Sequence, residues 1–81
     1  MARTLLGPGT HGGIVGDVQR ALLAAGFDPN GVDELYGSHT LTAVRSFQQA
    51  HDLPVTGIID DLTWQALLQK PIPARTAEAW N

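Results

Sequence analysis

Gly37-Ser38-His39-Thr40-Leu41-Thr42-Ala43-Val44-Arg45-Ser46-Phe47-Gln48-Gln49-Ala50 is the stretch on which the fold turns. Its apolar positions Ala43, Val44, Phe47 and Ala50 recur at helical spacing, and Thr40, one turn before Val44, extends the same face. Gly37 and Ser38 supply the start signal. The spacing predicts a central amphipathic helix against which both neighbouring segments pack.

Upstream, a first helix is expected from about Gly13 to Ala25. Val15, Val18 and Leu22 form its inner stripe with Leu23 beside them, and Gly26 is its stop. Both helices share one oddity. Val15-x-x-Val18-Gln19 and Val44-x-x-Phe47-Gln48 each place an amide on the buried edge, where it must find hydrogen-bond partners. Each glutamine is expected to pin a nearby loop backbone, and a ligand contact is the alternative. Downstream, the residue before Pro54 closes the central helix, and Val55-Thr56-Gly57-Ile58-Ile59 reads as a short extended piece. Asp60 caps a third helix with Thr63, Trp64, Leu67 and Leu68 facing inward, and Pro71 stops it.

The chain also repeats itself. Shifted by 23 positions, Asp33-Glu34-Leu35-Tyr36-Gly37-x-x-Thr40-x-x-Ala43-Val44 overlies Thr56-Gly57-Ile58-Ile59-Asp60-x-x-Thr63-x-x-Ala66-Leu67. Units this short cannot bury a face alone, so they must pack on each other and on the first helix. Two expectations follow: the two extended segments pair as a minimal ribbon, and Val32, Leu35 and Tyr36 tuck back on the core. The fold class is mainly α, a compact three-helix domain with short extended segments between the helices. It spans residues 1–70, and 71–81, with Pro71, Pro73 and Trp80, form a linker or loosely docked tail.

Composition narrows the function. The chain has 81 residues, 43% hydrophobic and 16% charged, which fits one small globular domain. With no cysteine, neither disulfides nor a thiolate metal site can stabilise it. A formal net charge of -3 and scattered basic residues argue against nucleic acid. No stretch approaches the roughly 18 apolar residues of a membrane span, and Met1–Leu6 is too short for a signal peptide.

Candidate chemistry is sparse. Gly7-Pro8-Gly9-Thr10-His11-Gly12 spells G-x-G-x-x-G, but no parallel partner strand is in prospect and Pro8 removes a backbone donor, so it reads as a turn and no cofactor is expected. His39 and His51 lie at opposite ends of the central helix, about 18 Å apart by helical rise, so they cannot share a metal ion. Asp60-Asp61 suits a helix start better than acid–base work. No nucleophile, base and orienter are spaced to act together, and the chain is not expected to be an enzyme. For binding, the segment Asp33–Thr40 is the candidate. Asp33 and Glu34 offer acceptors, Tyr36 a ring with a polar handle, and the helix start at Ser38, His39 and Thr40 an anion seat. Arg45 and Gln49, on the outer face of the helix, come second.

Taken together these residues resemble the peptidoglycan-binding domain of bacterial and phage cell-wall hydrolases. The match runs through Gly9-x-x-Gly12-x-x-Val15-x-x-Val18-Gln19-x-x-Leu22-x-x-x-Gly26, with Val18 where the family commonly has Leu. It continues through Val32-Asp33-x-Leu35-Tyr36-Gly37-x-x-Thr40-x-x-Ala43-Val44-x-x-Phe47-Gln48 and closes with Leu53-Pro54-Val55-Thr56-Gly57-x-x-Asp60-x-x-Thr63-Trp64-x-x-Leu67. Glu34 departs from the usual Gly, which would cost roughly 1 kcal/mol if the backbone there needs φ > 0. The resemblance implies a non-catalytic module at the cell envelope. It would hold a covalently linked lytic enzyme, such as an endolysin, on the glycan or stem peptide of murein. The N-terminal Met and Pro-containing end suggest an N-terminal module of such an enzyme. A protein-interaction adaptor or pro-domain is the runner-up. Matrix metalloprotease pro-domains have a similar helical fold but present a cysteine, which this chain lacks.

Overall fold

A computed structural model of the protein describes residues 4–69. The elements in chain order are β1 (Thr4–Leu6), α1 (Gly13–Ala24), α2 (Ser38–Ala50), β2 (Ile59–Asp60) and α3 (Asp61–Leu68). Pro71, Pro73, Trp80 and the tail expected over 71–81 lie outside the described residues.

Local signals set the helix ends. Past α1, Gly26 adopts φ 93 and Phe27 N–H donates to the Leu22 carbonyl at 2.8 Å, the paired bonding that closes a helix through a left-handed residue. The same device ends α2. There Asp52 takes φ 57 and Leu53 N–H donates to the Gln48 carbonyl at 2.9 Å, so the helix is already closed two residues before Pro54. At the start of α3 the Asp60 carboxylate accepts from Thr63 N–H at 2.8 Å, and Asp61 adds negative charge in the first turn, where the helix dipole favours it.

The helices close over one core. Leu5, Leu6, Val15, Val18, Leu22, Tyr36, Ala43, Val44, Phe47, Ile59 and Trp64 form it, with Phe27, Leu41, Leu53 and Leu67 packed at its edge. The residues that the sequence singled out from separate helices, Val18, Leu22, Val44, Phe47 and Leu67, therefore meet in one cluster. Fully buried apolar side chains of this size contribute about 1.5–3 kcal/mol each against conformational entropy.

Two expectations are corrected. The extended segments of the repeat do not pair with each other. Instead β1 pairs antiparallel with β2, with Thr4 opposite Asp60 and Leu6 opposite Ile59. A separate bridge joins His11 to Leu35, supported by Tyr36 N–H to Thr10 O and Gly9 N–H to Tyr36 O, both at 3.0 Å. The N-terminal segment thus serves both copies in turn, its first part pairing with the second copy and its later part with the first. Leu5 and Leu6 are wholly buried in consequence. The second correction concerns Val32 and Leu35, which remain 39% and 57% exposed while only Tyr36 turns inward. Side chains alternate along a regular extended segment, and with Tyr36 turned inward Leu35 points out. β1, whose register is irregular between Thr4 and Leu6, escapes that alternation and buries both leucines.

Candidate functional site

Each glutamine on a buried helix edge holds one loop. From α1, the Gln19 amide nitrogen donates to the Asp33 carboxylate at 2.9 Å, the Leu35 carbonyl at 3.0 Å and the Thr40 hydroxyl at 3.0 Å. Its oxygen accepts from Glu34 N–H at 2.9 Å. From α2, the Gln48 nitrogen reaches the Ile58 carbonyl at 2.9 Å, the Thr63 hydroxyl at 3.1 Å and the Thr56 hydroxyl at 3.3 Å. Its oxygen accepts from Thr56 and Gly57 N–H, both at 3.0 Å. The partners correspond residue by residue under the 23-position shift. The repeat is therefore physical: one buried amide, one loop and one threonine from the next helix, built twice. Among the described residues no buried side-chain polar atom is left without a partner, as the cost of orphaning such groups requires.

The two copies differ in one place. Gln19 bonds to a residue 14 positions on, whereas Gln48 bonds to one 8 positions on. Part of the extra length prolongs α1 beyond its glutamine; the rest lengthens the loop that follows. This longer loop builds a cleft. Gly26, Phe27 and Asp28 form one wall, and His39, Thr42, Ala43 and Ser46 of α2 form the other, around about 330 Å³. The wall is fixed from several sides. The Phe27 ring meets Phe47 edge to face at 5.8 Å between centroids, and Pro29 is buried. The Asp28 carboxylate accepts from Asn30 N–H at 2.8 Å and Gly31 N–H at 3.2 Å. Asn30 Nδ2 comes within 3.5 Å of His39 Nδ1, joining the two walls at the rim.

The residues picked from the sequence separate into groups. His39 lines the cleft. Ser38 and Gln49 are exposed on α2, while Arg45, also exposed, lies over Gly57 rather than over the cleft. Asp33 and Glu34 are tied to Gln19. The Gln19 amide, followed by Leu35 N–H, holds the Asp33 carboxyl below its ordinary value against an opposing effect of burial. Glu34 stands at φ 61 and lies along α1, its Cγ 3.0 Å from where a side chain on Gly16 would begin. Tyr36 and Thr40 are 2% exposed. The Thr40 hydroxyl is held by Gln19, and the Tyr36 hydroxyl donates to the Gly57 carbonyl at 2.6 Å. Burial pushes the Tyr36 phenol well above its usual range, so it stays a neutral donor. Both residues are occupied inside the fold and offer no surface to a ligand. Phe27, Asp28, Thr42, Ala43 and Ser46 were not foreseen. The unequal spacing from each glutamine to its loop partner is the sequence signal that could have found them.

Chemically the cleft lining combines the apolar Phe27 and Ala43 with a carboxylate, an imidazole and two hydroxyls. Among the described residues no three His, Cys, Asp or Glu converge on a metal position, and no helix is long and apolar enough to cross a membrane.

The family described as "Putative peptidoglycan binding domain" matches residues 11–67. The chain belongs to this peptidoglycan-binding domain family. Its match takes in both glutamines, both loops and the whole cleft. No curated protein matches the chain. Among solved structures it is similar to the SleB N-terminal domain, at 34% identity and TM-score 0.76, covering 79% of this chain and 88% of that one. It is also similar to the Burkholderia AP3 phage endolysin, at 37% identity and TM-score 0.74. A third similar structure is the fused Zn-dependent amidase/peptidase/peptidoglycan-binding domain-containing protein of Clostridium acetobutylicum, at 30% identity and TM-score 0.71. In these two cases 91% and 94% of this chain is covered, but only 29% and 33% of the larger protein. The peptidoglycan-binding chain thus spans about a third of either.

Proposed function

We propose that the chain binds murein at the cell envelope and holds a covalently linked wall-cleaving enzyme on its substrate. The family match over residues 11–67 carries this reading. The likeness to one part of an endolysin and of a fused amidase/peptidase supports the linked enzyme. The physics suits such a role. A shallow cleft of this volume gives modest affinity by itself, but the wall presents its repeat unit at high density. A tether converts each later encounter into an intramolecular one, raising avidity without new contacts. The rigidity from the two glutamine networks lowers the ordering cost of every rebinding event.

Purified sacculi provide the test. The chain is expected to sediment with them and to leave their turbidity unchanged. Failure to sediment, with tight capture by an isolated catalytic domain instead, would replace the murein reading with an adaptor. Clearing of the sacculi by the chain alone would make it an enzyme.

A further inference from the structure

We infer that the longer loop after α1 is the ligand-selecting wall of the module, and that its cleft takes the amine-bearing stem peptide of murein rather than the glycan. This rests on the murein-binding reading above and names the ligand class within it.

Three observations carry it. The first is that loop closure does not need the extra length, because Gln48 satisfies the same set of groups across 8 positions that Gln19 satisfies across 14. The second is that the added wall is rigid. Phe27 is held by its N–H bond to Leu22 and by its ring on Phe47, and Asp28 is held by the two N–H groups of its own turn. A wall fixed before binding spares the ordering cost. The third is its charge. Asp28 lines the cleft, with one carboxylate oxygen taken by its own turn, and has no cationic partner among the described residues, where the ion pair present is Arg20 with Asp17. A carboxylate lining the same cleft as the hydroxyl-bearing residues Thr42 and Ser46 suits an ammonium group, and the apolar Phe27 and Ala43 of its two walls suit a methyl. The murein stem peptide carries both, on its diamino acid and its alanines. The glycan strand carries neither an ammonium nor any other cation.

The test uses the isotopically labelled chain titrated with three probes followed by amide NMR shifts. These are N-acetyl-L-Ala-γ-D-Glu-meso-diaminopimelate, the same peptide acetylated on its remaining amine, and chitotetraose. The free-amine peptide is expected to shift the amides of Phe27, Asp28, His39, Thr42 and Ser46. Acetylation of its amine should weaken binding roughly twofold to fivefold. Asp28→Asn keeps the oxygen that accepts from Asn30 and Gly31, so the turn persists; it should abolish the preference for the free amine. Ser46→Trp, on the exposed face of α2, should block the cleft by bulk. Shifts of these amides by chitotetraose instead of peptide, or an unchanged preference in Asp28→Asn, would overturn the inference. If the parent sediments with sacculi yet no peptide shifts the cleft amides, the inference fails and murein binding stands. If it does not sediment, both fail.

Discussion

Glu34 and Gly57 occupy the same position in the two copies of the loop, and both adopt a left-handed backbone, at φ 61 and φ 77. In each copy that residue's N–H is captured by the buried glutamine. The conformation is therefore imposed by the network rather than by the residue. Glycine takes it freely, whereas a side chain costs about 1–2 kcal/mol.

Replacing Glu34→Gly relieves that strain and returns about 0.5–1 kcal/mol to the unfolded chain as entropy. A net gain of up to about 1 kcal/mol is expected by urea denaturation. Gly57→Ala goes the other way. Its new methyl would collide with Leu41 Cδ1 and stand 3.2 Å from Arg45 Cγ, in a conformation that already disfavours it. A loss of about 2–4 kcal/mol is expected. Equal responses at the two positions would mean that the copies are not equivalent.

Gln19→Leu takes the partner from Glu34 N–H and leaves the buried Thr40 hydroxyl only its 3.4 Å bond to the Leu35 carbonyl, while Gln48→Leu takes the partners from Thr56 and Gly57 N–H and from the buried Thr63 hydroxyl. Either should cost about 2–4 kcal/mol. The neighbouring Gln49→Ala, on the exposed face, should change stability by less than about 0.5 kcal/mol. Chemical denaturation of the three variants side by side checks the contrast.

Tyr36→Phe removes the hydroxyl that ties the first loop to the Gly57 carbonyl. It should cost about 1 kcal/mol of stability and leave retention on sacculi unchanged. Weakened retention by a folded Tyr36→Phe would mean that the hydroxyl also reaches ligand.

Asp33 gives the chain an acid-sensitive component. Its folded carboxyl is held below the ordinary value, so the unfolded chain takes up its proton first. The stability contributed is fully present above about pH 4 and is lost as pH falls through the lower folded value. Asp33→Asn retains an oxygen for Gln19 and Leu35 but cannot titrate. Thermal melts across pH 2–6 should show a shallower acid slope in the variant; identical slopes would remove Asp33 from the account.

Much of this was legible in the residues because it depends on neighbours close along the chain. The apolar stripes, the stop at Gly26 and the cap at Asp60 are all local. The two glutamines could be read as loop anchors because an amide on a buried edge has few acceptable fates. Tyr36 and Thr40 show the limit. The residue types that suit a binding loop also suit an interior strut, and only burial separates the two uses.

From the sequence alone came three helices, a duplicated loop-and-helix unit and the family to which the chain belongs, since spacing and polarity encode them directly. Only the tertiary structure decided that the N-terminal segment pairs with both loops, that Tyr36 reaches the carbonyl of Gly57, and that Phe27 and Asp28 face His39, Thr42 and Ser46 across a cleft. Those contacts join segments brought together by the burial of Leu5, Leu6, Phe47 and Trp64 in one core, and no short-range signal specifies which partners that collapse selects.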